Sequence, residues 1–159
     1  MKQTQLVGLP AALRLLAVDD SKEPRLSLTR AGADFAVLEN PVLDGGADST
    51  KRKFSDVETE FLLAHITASV PEEKSAYVSI LDAIENDARS PDQVDAWLRK
   101  RFNLPKEDDI TKTFLSTQRT GAISRMVDLG LVAREKTGLR VTYLVAQPGK
   151  HFRETIAAR

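Results

Sequence analysis

The sequence contains no cysteine and only two histidines, which removes several kinds of chemistry from consideration. A chain without cysteine has no disulfide framework and no thiolate ligands for a metal. His65 and His151 lie far apart, and neither has a second histidine at the spacing of helical metal ligands. We therefore expect no metal, no cofactor and no enzymatic activity.

Two carboxylate clusters offer a weaker alternative to this expectation. Asp82, Glu85 and Asp87 are close in sequence, and a second cluster lies at 107–109. Paired carboxylates can serve in acid–base or metal chemistry. A solvated helix face and a helix N-terminus explain these clusters more simply, and we favour those explanations.

Long apolar runs are also missing. No stretch is long enough to span a bilayer, and the first five residues lack the apolar core of a signal peptide. A hydrophobic fraction of 42% with 29% charged residues is typical of a globular protein. The sequence predicts no membrane partner and, by elimination, a cytoplasmic location.

The net charge is zero, which argues against a histone-like protein, but the charges are unevenly distributed. Residues 101–159 contain eleven Lys and Arg against six Asp and Glu, a balance of +5. The first hundred residues carry the compensating negative charge. A basic C-terminal third can serve as an electrostatic footprint for phosphates, although ordinary scatter explains it about equally well.

The first part of the chain predicts a hairpin segment, a linker and a connecting helix. Apolar residues at 13–18 and the alternating segment 25–29 flank a polar turn, which is the pattern of a β-hairpin. Ser55 and Glu58 form a capping box at a helix start. We assign 1–39 to the hairpin segment with a short helix, 40–53 to a linker, 54–70 to the connecting helix and 71–159 to a second domain.

The second domain predicts three helices, a second hairpin and a last helix. Pro71 suits a first helical turn, and Ser90 with Gln93 forms another capping box. A third helix starts near 109–111 and ends before Gly130. Gly121 lies inside that helix, where glycine costs about 1 kcal/mol relative to alanine. Strands on both sides of 136–138 then form the hairpin.

A weak internal repeat links the two hairpins. The triplet 7–9 precedes the first hairpin as 129–131 precedes the second, and the octapeptide 28–35 follows the first as 145–152 follows the second. These matches suggest a tandem arrangement. The first copy would then be a partial repeat without its front helices. Either the chain is a fragment of a larger protein, or its N-terminal piece completes another domain.

Residues 122–135, AISRMVDLGLVARE, resemble the end of a recognition helix, a turn and the first wing strand of winged helix-turn-helix regulators. The resemblance covers about half of the chain and identifies a fold type. It implies an α+β, mainly helical fold: a winged helix-turn-helix preceded by a β-hairpin segment and an extra helix. Two departures are a long loop at 103–108 and a short wing at 136–138.

Carried over to this sequence, the resemblance implies a DNA-binding surface. Arginine can bind guanine and glutamine adenine in the major groove, while flanking cations contact phosphates. Arg119 shares a helical stripe with Ile123, so its exposure is the most doubtful. The candidate recognition residues are Thr117, Gln118, Arg119, Thr120, Ser124 and Arg125, with phosphate contacts from Lys112, Arg134, Lys136 and Arg140.

These patterns predict a protein that binds double-stranded DNA, as a transcriptional regulator or as part of a larger protein. Phe61 and Leu62 of the extra helix could form a homodimer face. The alternative is a tandem winged-helix module that mediates protein–protein contacts in a larger complex. The zero net charge and the acidic middle of the chain favour that alternative, whereas the basic recognition face favours DNA.

Overall fold

The computed structural model describes residues 8–19, 25–44, 53–104 and 109–158. Val7, the hairpin turn at 20–24, the linker residues 45–52 and the acidic residues at 107–108 lie outside these ranges. The chain divides into two compact units, Met1–Glu73 and Lys74–Arg159. The described elements are α1 (Leu9–Ala12), β1 (Leu16–Val18), β2 (Leu26–Leu28), α2 (Arg30–Ala36), α3 (Asp56–Ser69), α4 (Pro71–Glu85), α5 (Pro91–Arg101), α6 (Asp109–Asp128), β3 (Val132–Thr137), β4 (Arg140–Val145) and α7 (Gln147–Ala157).

The predicted α+β, mainly helical class is confirmed, as are both hairpins and the extra helix. The Ser55 and Ser90 hydroxyls each accept a hydrogen bond from the backbone three residues later, completing the two predicted capping boxes. Helix α6 continues through Gly121. The order of three helices, a hairpin and a helix matches the prediction for the second domain, and its winged-helix assignment stays a prediction.

The first unit is built around α3 and the hairpin of β1 and β2. Leu62 and Ile66 of α3 are at most 1% exposed, and the His65 Nε2 lies 2.8 Å from the Leu13 carbonyl oxygen. Asn40, placed at the start of the predicted linker, donates from its side-chain amide to the buried Glu58 carboxylate. The linker therefore begins with an ordered turn.

The extra helix buries one of the two residues predicted for a homodimer face, and the homodimer itself stays a prediction. Leu62 is 1% exposed within its own chain, and the Phe61 ring packs at 5.8 Å from the Phe35 ring of α2. Leu62 therefore belongs to the core of the first unit, and the half-buried Phe61 packs towards α2. The prediction that Leu62 lies at a dimer surface is wrong.

Helices α4, α5, α6 and α7 pack around the apolar core of the second unit. Tyr77 and Leu81 of α4 are fully buried, and the Tyr77 ring lies 6.3 Å from the Phe152 ring of α7. The antiparallel hairpin pairs Val132 with Val145 and Arg134 with Tyr143. Other residues of this core, each at most 5% exposed, are Ile80, Ile84, Val94, Leu98, Ala122, Ile123, Met126, Leu129 and Leu131.

Each of the two units contains the same kind of backbone junction. In the first, the Leu15 amide donates to the Pro10 carbonyl at 2.8 Å and the Leu15 carbonyl accepts from Thr29 at 3.0 Å. In the second, Leu131 donates to Met126 at 2.8 Å and accepts from Ala146 at 3.0 Å. The same hydrogen bonds therefore join a helix end, a hairpin and a following helix in both units.

This geometry corrects the register of the repeat. The expected counterpart of Gly130 at the helix end was Gly8, but Gly8 precedes α1. The position equivalent to Gly130, which has φ +70°, is Arg14, which has φ +55°. A glycine marks this left-handed position in only one copy, and the sequence match therefore aligned the wrong residues. The short α1 corresponds to the last turn of α6.

Candidate nucleic-acid interface

Helix α6 exposes one face along several turns. Ala122, Ile123 and Met126 point into the core and are at most 3% exposed. The opposite side carries residues at the i, i+4, i+7 and i+11 spacing that keeps side chains on one side of a helix. The described part of the chain leaves this side open to solvent. Its residues are Thr113, Thr117, Thr120 and Ser124.

Most of the predicted contact residues lie on exposed positions. Arg125 is half-buried, and Arg119 is buried. The α6 residues and the hairpin residues both belong to the second unit. The exposed members are Lys112, Thr117, Gln118, Thr120 and Ser124 on α6, and Arg134, Lys136 and Arg140 on the hairpin.

The prediction that Arg119 is an outward-facing recognition residue is wrong. It is 7% exposed, and its Nε donates to Asp95 Oδ1 of α5 at 2.6 Å. Its Nη2 donates to Ser116 Oγ at 3.0 Å, and its Nη1 lies 3.5 Å from the Tyr143 hydroxyl of β4. The guanidinium therefore joins α5, α6 and β4 and is not available to a ligand.

The sequence already indicated that Arg119 faces inward, because it lies four residues before the apolar Ile123 and therefore on the same helix face. The sequence does not identify the partner, because Asp95 lies 24 positions away. A buried arginine needs a carboxylate and further acceptors to replace its hydration. That requirement explains why this inward arginine is matched by Asp95, Ser116 and Tyr143.

Gly121 makes room for Arg125 on the border of the exposed face. A Cβ at position 121 would lie 3.1 Å from Nη1 of Arg125. The guanidinium therefore lies along the helix surface above the glycine, one turn back from its own Cα, as helical side chains commonly do. This placement keeps a positive charge beside the polar face of α6.

The second hairpin adds cations next to α6. Arg134 and Lys136 lie on the strand face that also carries Tyr143, while Arg140 pairs with Thr137 on the other face. The turn between them has φ +61° at Gly138, which fits glycine at the first central position of a two-residue hairpin loop. Leu139, the second turn residue, is 99% exposed.

The hairpin is anchored to the start of α5. The Tyr143 amide donates to the Arg89 carbonyl at 2.8 Å, so the connection between α4 and α5 is hydrogen-bonded to β4. Together with the Arg119 contacts, this bond fixes the hairpin relative to α5 and α6. The polar face and the hairpin cations are therefore held by one set of buried contacts.

Sequence reasoning missed two features of this surface. Phe114 is 64% exposed on the same side of α6 as Gln118, although an aromatic residue in a helix usually signals core. Helix α5 also ends in three basic residues, Arg99, Lys100 and Arg101, shortly before α6 begins. Their position at a helix C-terminus was readable from the sequence, because cations complement the negative end of the helix dipole.

Three of the groups weighed as catalytic candidates, Asp82, Glu85 and His65, have structural partners. Arg153 of α7 forms ion pairs with Asp82 at 3.4 Å and with Glu85, so these two carboxylates tie α4 to α7. The His65 ring stacks on Phe61 in the first unit. Within the described ranges, no group of three or more His, Asp or Glu side chains could hold a metal ion.

None of the helices in the described ranges is both long and apolar enough to cross a membrane. Comparisons of the chain with protein-family models, with curated proteins and with solved structures find no match. The candidate site is therefore the polar face of α6 with the cations of α6 and the hairpin.

Proposed function

We propose that the second unit is a winged helix-turn-helix domain that binds double-stranded DNA, as a transcriptional regulator or as the DNA-binding part of a larger protein. Helix α6 would enter the major groove, with α5 as the helix before it. The hairpin of β3 and β4 would follow the phosphate backbone as a wing.

The observation that carries this proposal is the open face of α6. It extends from Thr113 to Ser124, about 17 Å at 1.5 Å per residue, which is long enough to cross a major groove about 12 Å wide. Its side chains are short and polar except for Phe114. A helix face that is covered by its own chain could not enter a groove, and this one is open.

The charges around this face support the same proposal. Five cations besides the buried Arg119 lie on α6 and the hairpin, whereas these elements carry three acidic residues, Asp109, Asp128 and Glu135. Cations in that excess attract phosphates without specifying sequence. The five cations are Lys112, Arg125, Arg134, Lys136 and Arg140.

A specific observation also favours the second candidate, a tandem winged-helix module for protein–protein contacts. Phe114 and Leu139 are 64% and 99% exposed near the candidate surface, and exposed large apolar side chains are typical of protein interfaces. The junction that occurs in both units fits the tandem arrangement. DNA is the better proposal because the remaining exposed face is polar and its flanks are basic.

Titration of a labelled duplex with the full chain at two salt concentrations tests the proposal. We expect weak binding at low salt that decreases steeply as salt rises, because binding releases counterions from DNA. Lys136→Gln should weaken binding to every duplex and reduce the logarithmic salt slope by about 1.

Lys150→Gln is the control, since Lys150 is an exposed lysine of the second unit that belongs to α7 and neither to α6 nor to the hairpin. It should leave affinity and salt slope nearly unchanged. No detectable binding to any duplex at low salt would reject DNA binding and favour the protein-interaction module.

A further inference from the structure

The outward side of α6 presents methyl and aromatic groups together with its hydroxyl groups. Phe114 exposes 64% of its surface, and three threonines on the open side present methyl groups with their hydroxyls. The Thr120 hydroxyl donates to the Ser116 carbonyl at 2.7 Å, which directs it to the backbone and not outward. The threonines are Thr113, Thr117 and Thr120.

The groups that would bind guanine are missing from the middle of this face. Guanine is most often recognised by the paired donors of arginine or lysine. Arg119 is turned inward to Asp95, and Arg125 lies along the helix above Gly121. Lys112 lies near the N-terminal end of α6, on the stripe of Ser116 and Arg119 and not on the open face. Gln118 is exposed one turn after Phe114, at the edge of the open face, and glutamine pairs with the N6 and N7 edge of adenine.

We infer that α6 recognises A·T base pairs, with Phe114 and the threonine methyl groups against the C5 methyl groups of thymine and Gln118 on adenine. This inference rests on the proposed DNA binding. Thymine is the base that carries a methyl group in the major groove, and apolar side chains distinguish it by contact. The preferred ligand is therefore an A·T-rich duplex.

The first experiment selects duplexes from a random pool with the full chain and then replaces thymidine by deoxyuridine in the selected site. This replacement removes only the methyl group and leaves base pairing and backbone charge unchanged. We expect A·T-rich sites and a loss of affinity of roughly fourfold for each contacted methyl group, as burial of one methyl-sized group implies.

Two variants locate the effect. Phe114→Ala should bind the thymidine and deoxyuridine duplexes more nearly alike, and because Phe114 is exposed its removal should leave folding intact. Leu139→Ala is the matched control, since Leu139 is an exposed apolar residue on the hairpin turn. It should retain the full difference between the two duplexes.

The outcomes separate this inference from the proposed function. Binding to DNA with G·C-rich selected sites, or with equal affinity for thymidine and deoxyuridine duplexes, would overturn the A·T preference and leave DNA binding standing. Absence of binding to every duplex at low salt would overturn both. Self-association of the chain that Phe114→Ala abolishes, without any duplex binding, would assign the same face to a protein contact.

Discussion

At the scale of the residue, Arg119 has the strongest consequences for both stability and the candidate surface. Its exposure could be judged from the helical stripe it shares with Ile123, but its partners could not, because they come from α5 and β4. Side-chain partners distant in sequence depend on how elements pack. The exposed positions of Thr117, Thr120 and Ser124 follow from helix periodicity, whereas Gln118 is exposed although it shares a stripe with the buried Ala122.

Arg119→Met is expected to destabilise the second unit strongly, by roughly 3–5 kcal/mol, because it leaves the part-buried Asp95 carboxylate without its main partner. Chemical unfolding followed by circular dichroism measures the change. The double variant with Asp95→Leu should recover much of the loss, since it removes the unpaired charge. A single-variant effect below about 0.5 kcal/mol, like that expected for a surface residue such as Arg134, would contradict this role for Arg119.

Gly130 ends α6 at φ +70°, and a Cβ at this position would meet open space, so a substitution there acts through the backbone alone. Gly130→Val is expected to lower stability by about 1–2 kcal/mol, because a β-branched residue is strained in the left-handed region. Gly130→Asn should cost less, since asparagine tolerates that region. Equal melting temperatures for the wild-type chain and Gly130→Val would mean that α6 ends elsewhere in solution.

At the scale of the element, the starts and ends of helices could be predicted from the sequence, whereas the packing of one element against another could not. Ser55, Ser90 and Pro91 fix helix starts through local hydrogen bonds and fixed φ, and these signals lie within three residues in the sequence. The four-residue α1 has Pro10 in its first turn but no side-chain cap. Its existence follows from the junction at Leu15, which is a contact between segments.

Gly121→Ala is expected to stabilise α6 by up to about 1 kcal/mol, because alanine restricts the unfolded chain and favours the helix. The new Cβ meets only the end of the flexible Arg125 side chain, at 3.1 Å, which can move away. Thermal unfolding measures the gain in stability. Ser124→Ala on the same helix is the comparison, because it changes only the helix propensity of an exposed position. A net loss of stability in Gly121→Ala would show that Arg125 is held tightly above the glycine.

At the scale of the whole molecule, the main finding is that one junction occurs in both units. The sequence indicated a repeat but paired its helix ends incorrectly, because Arg14 occupies the left-handed position that Gly130 occupies in the second unit. Arg14 is held there by its donation to the Ser69 carbonyl at 2.9 Å and by the exposed Glu72 carboxylate. The two hairpins differ in how far their second strands are buried. Leu26 of β2 is 58% exposed, whereas Tyr143, at the equivalent position of β4, is 5% exposed.

The junction predicts equal sensitivity of two glycines that lie far apart in the chain. A Cβ on Gly32 would overlap the Leu15 carbonyl oxygen, and one on Gly149 would overlap that of Leu131. Because these atoms belong to the backbone, neither unit can relax cheaply, and Gly32→Ala and Gly149→Ala should each cost about 2 kcal/mol or more. Urea unfolding checks both, with Gly138→Ala as a milder control whose Cβ meets open space. If Gly32→Ala or Gly149→Ala had wild-type stability, the helix that carries that glycine would lie further from the hairpin than the structure shows.

One backbone amide in each junction can report on the opening of its own unit by hydrogen–deuterium exchange. The amides of Thr29 and Ala146 are each protected by the carbonyl at the start of their own hairpin, so their hydrogen–deuterium exchange rates measure opening of the two units separately. A duplex that binds the second unit should slow exchange at Ala146 by a factor that rises with the ratio of free duplex concentration to Kd. An equal slowing at Thr29 would reveal that the two units open together, and an unchanged rate would reveal that each opens alone.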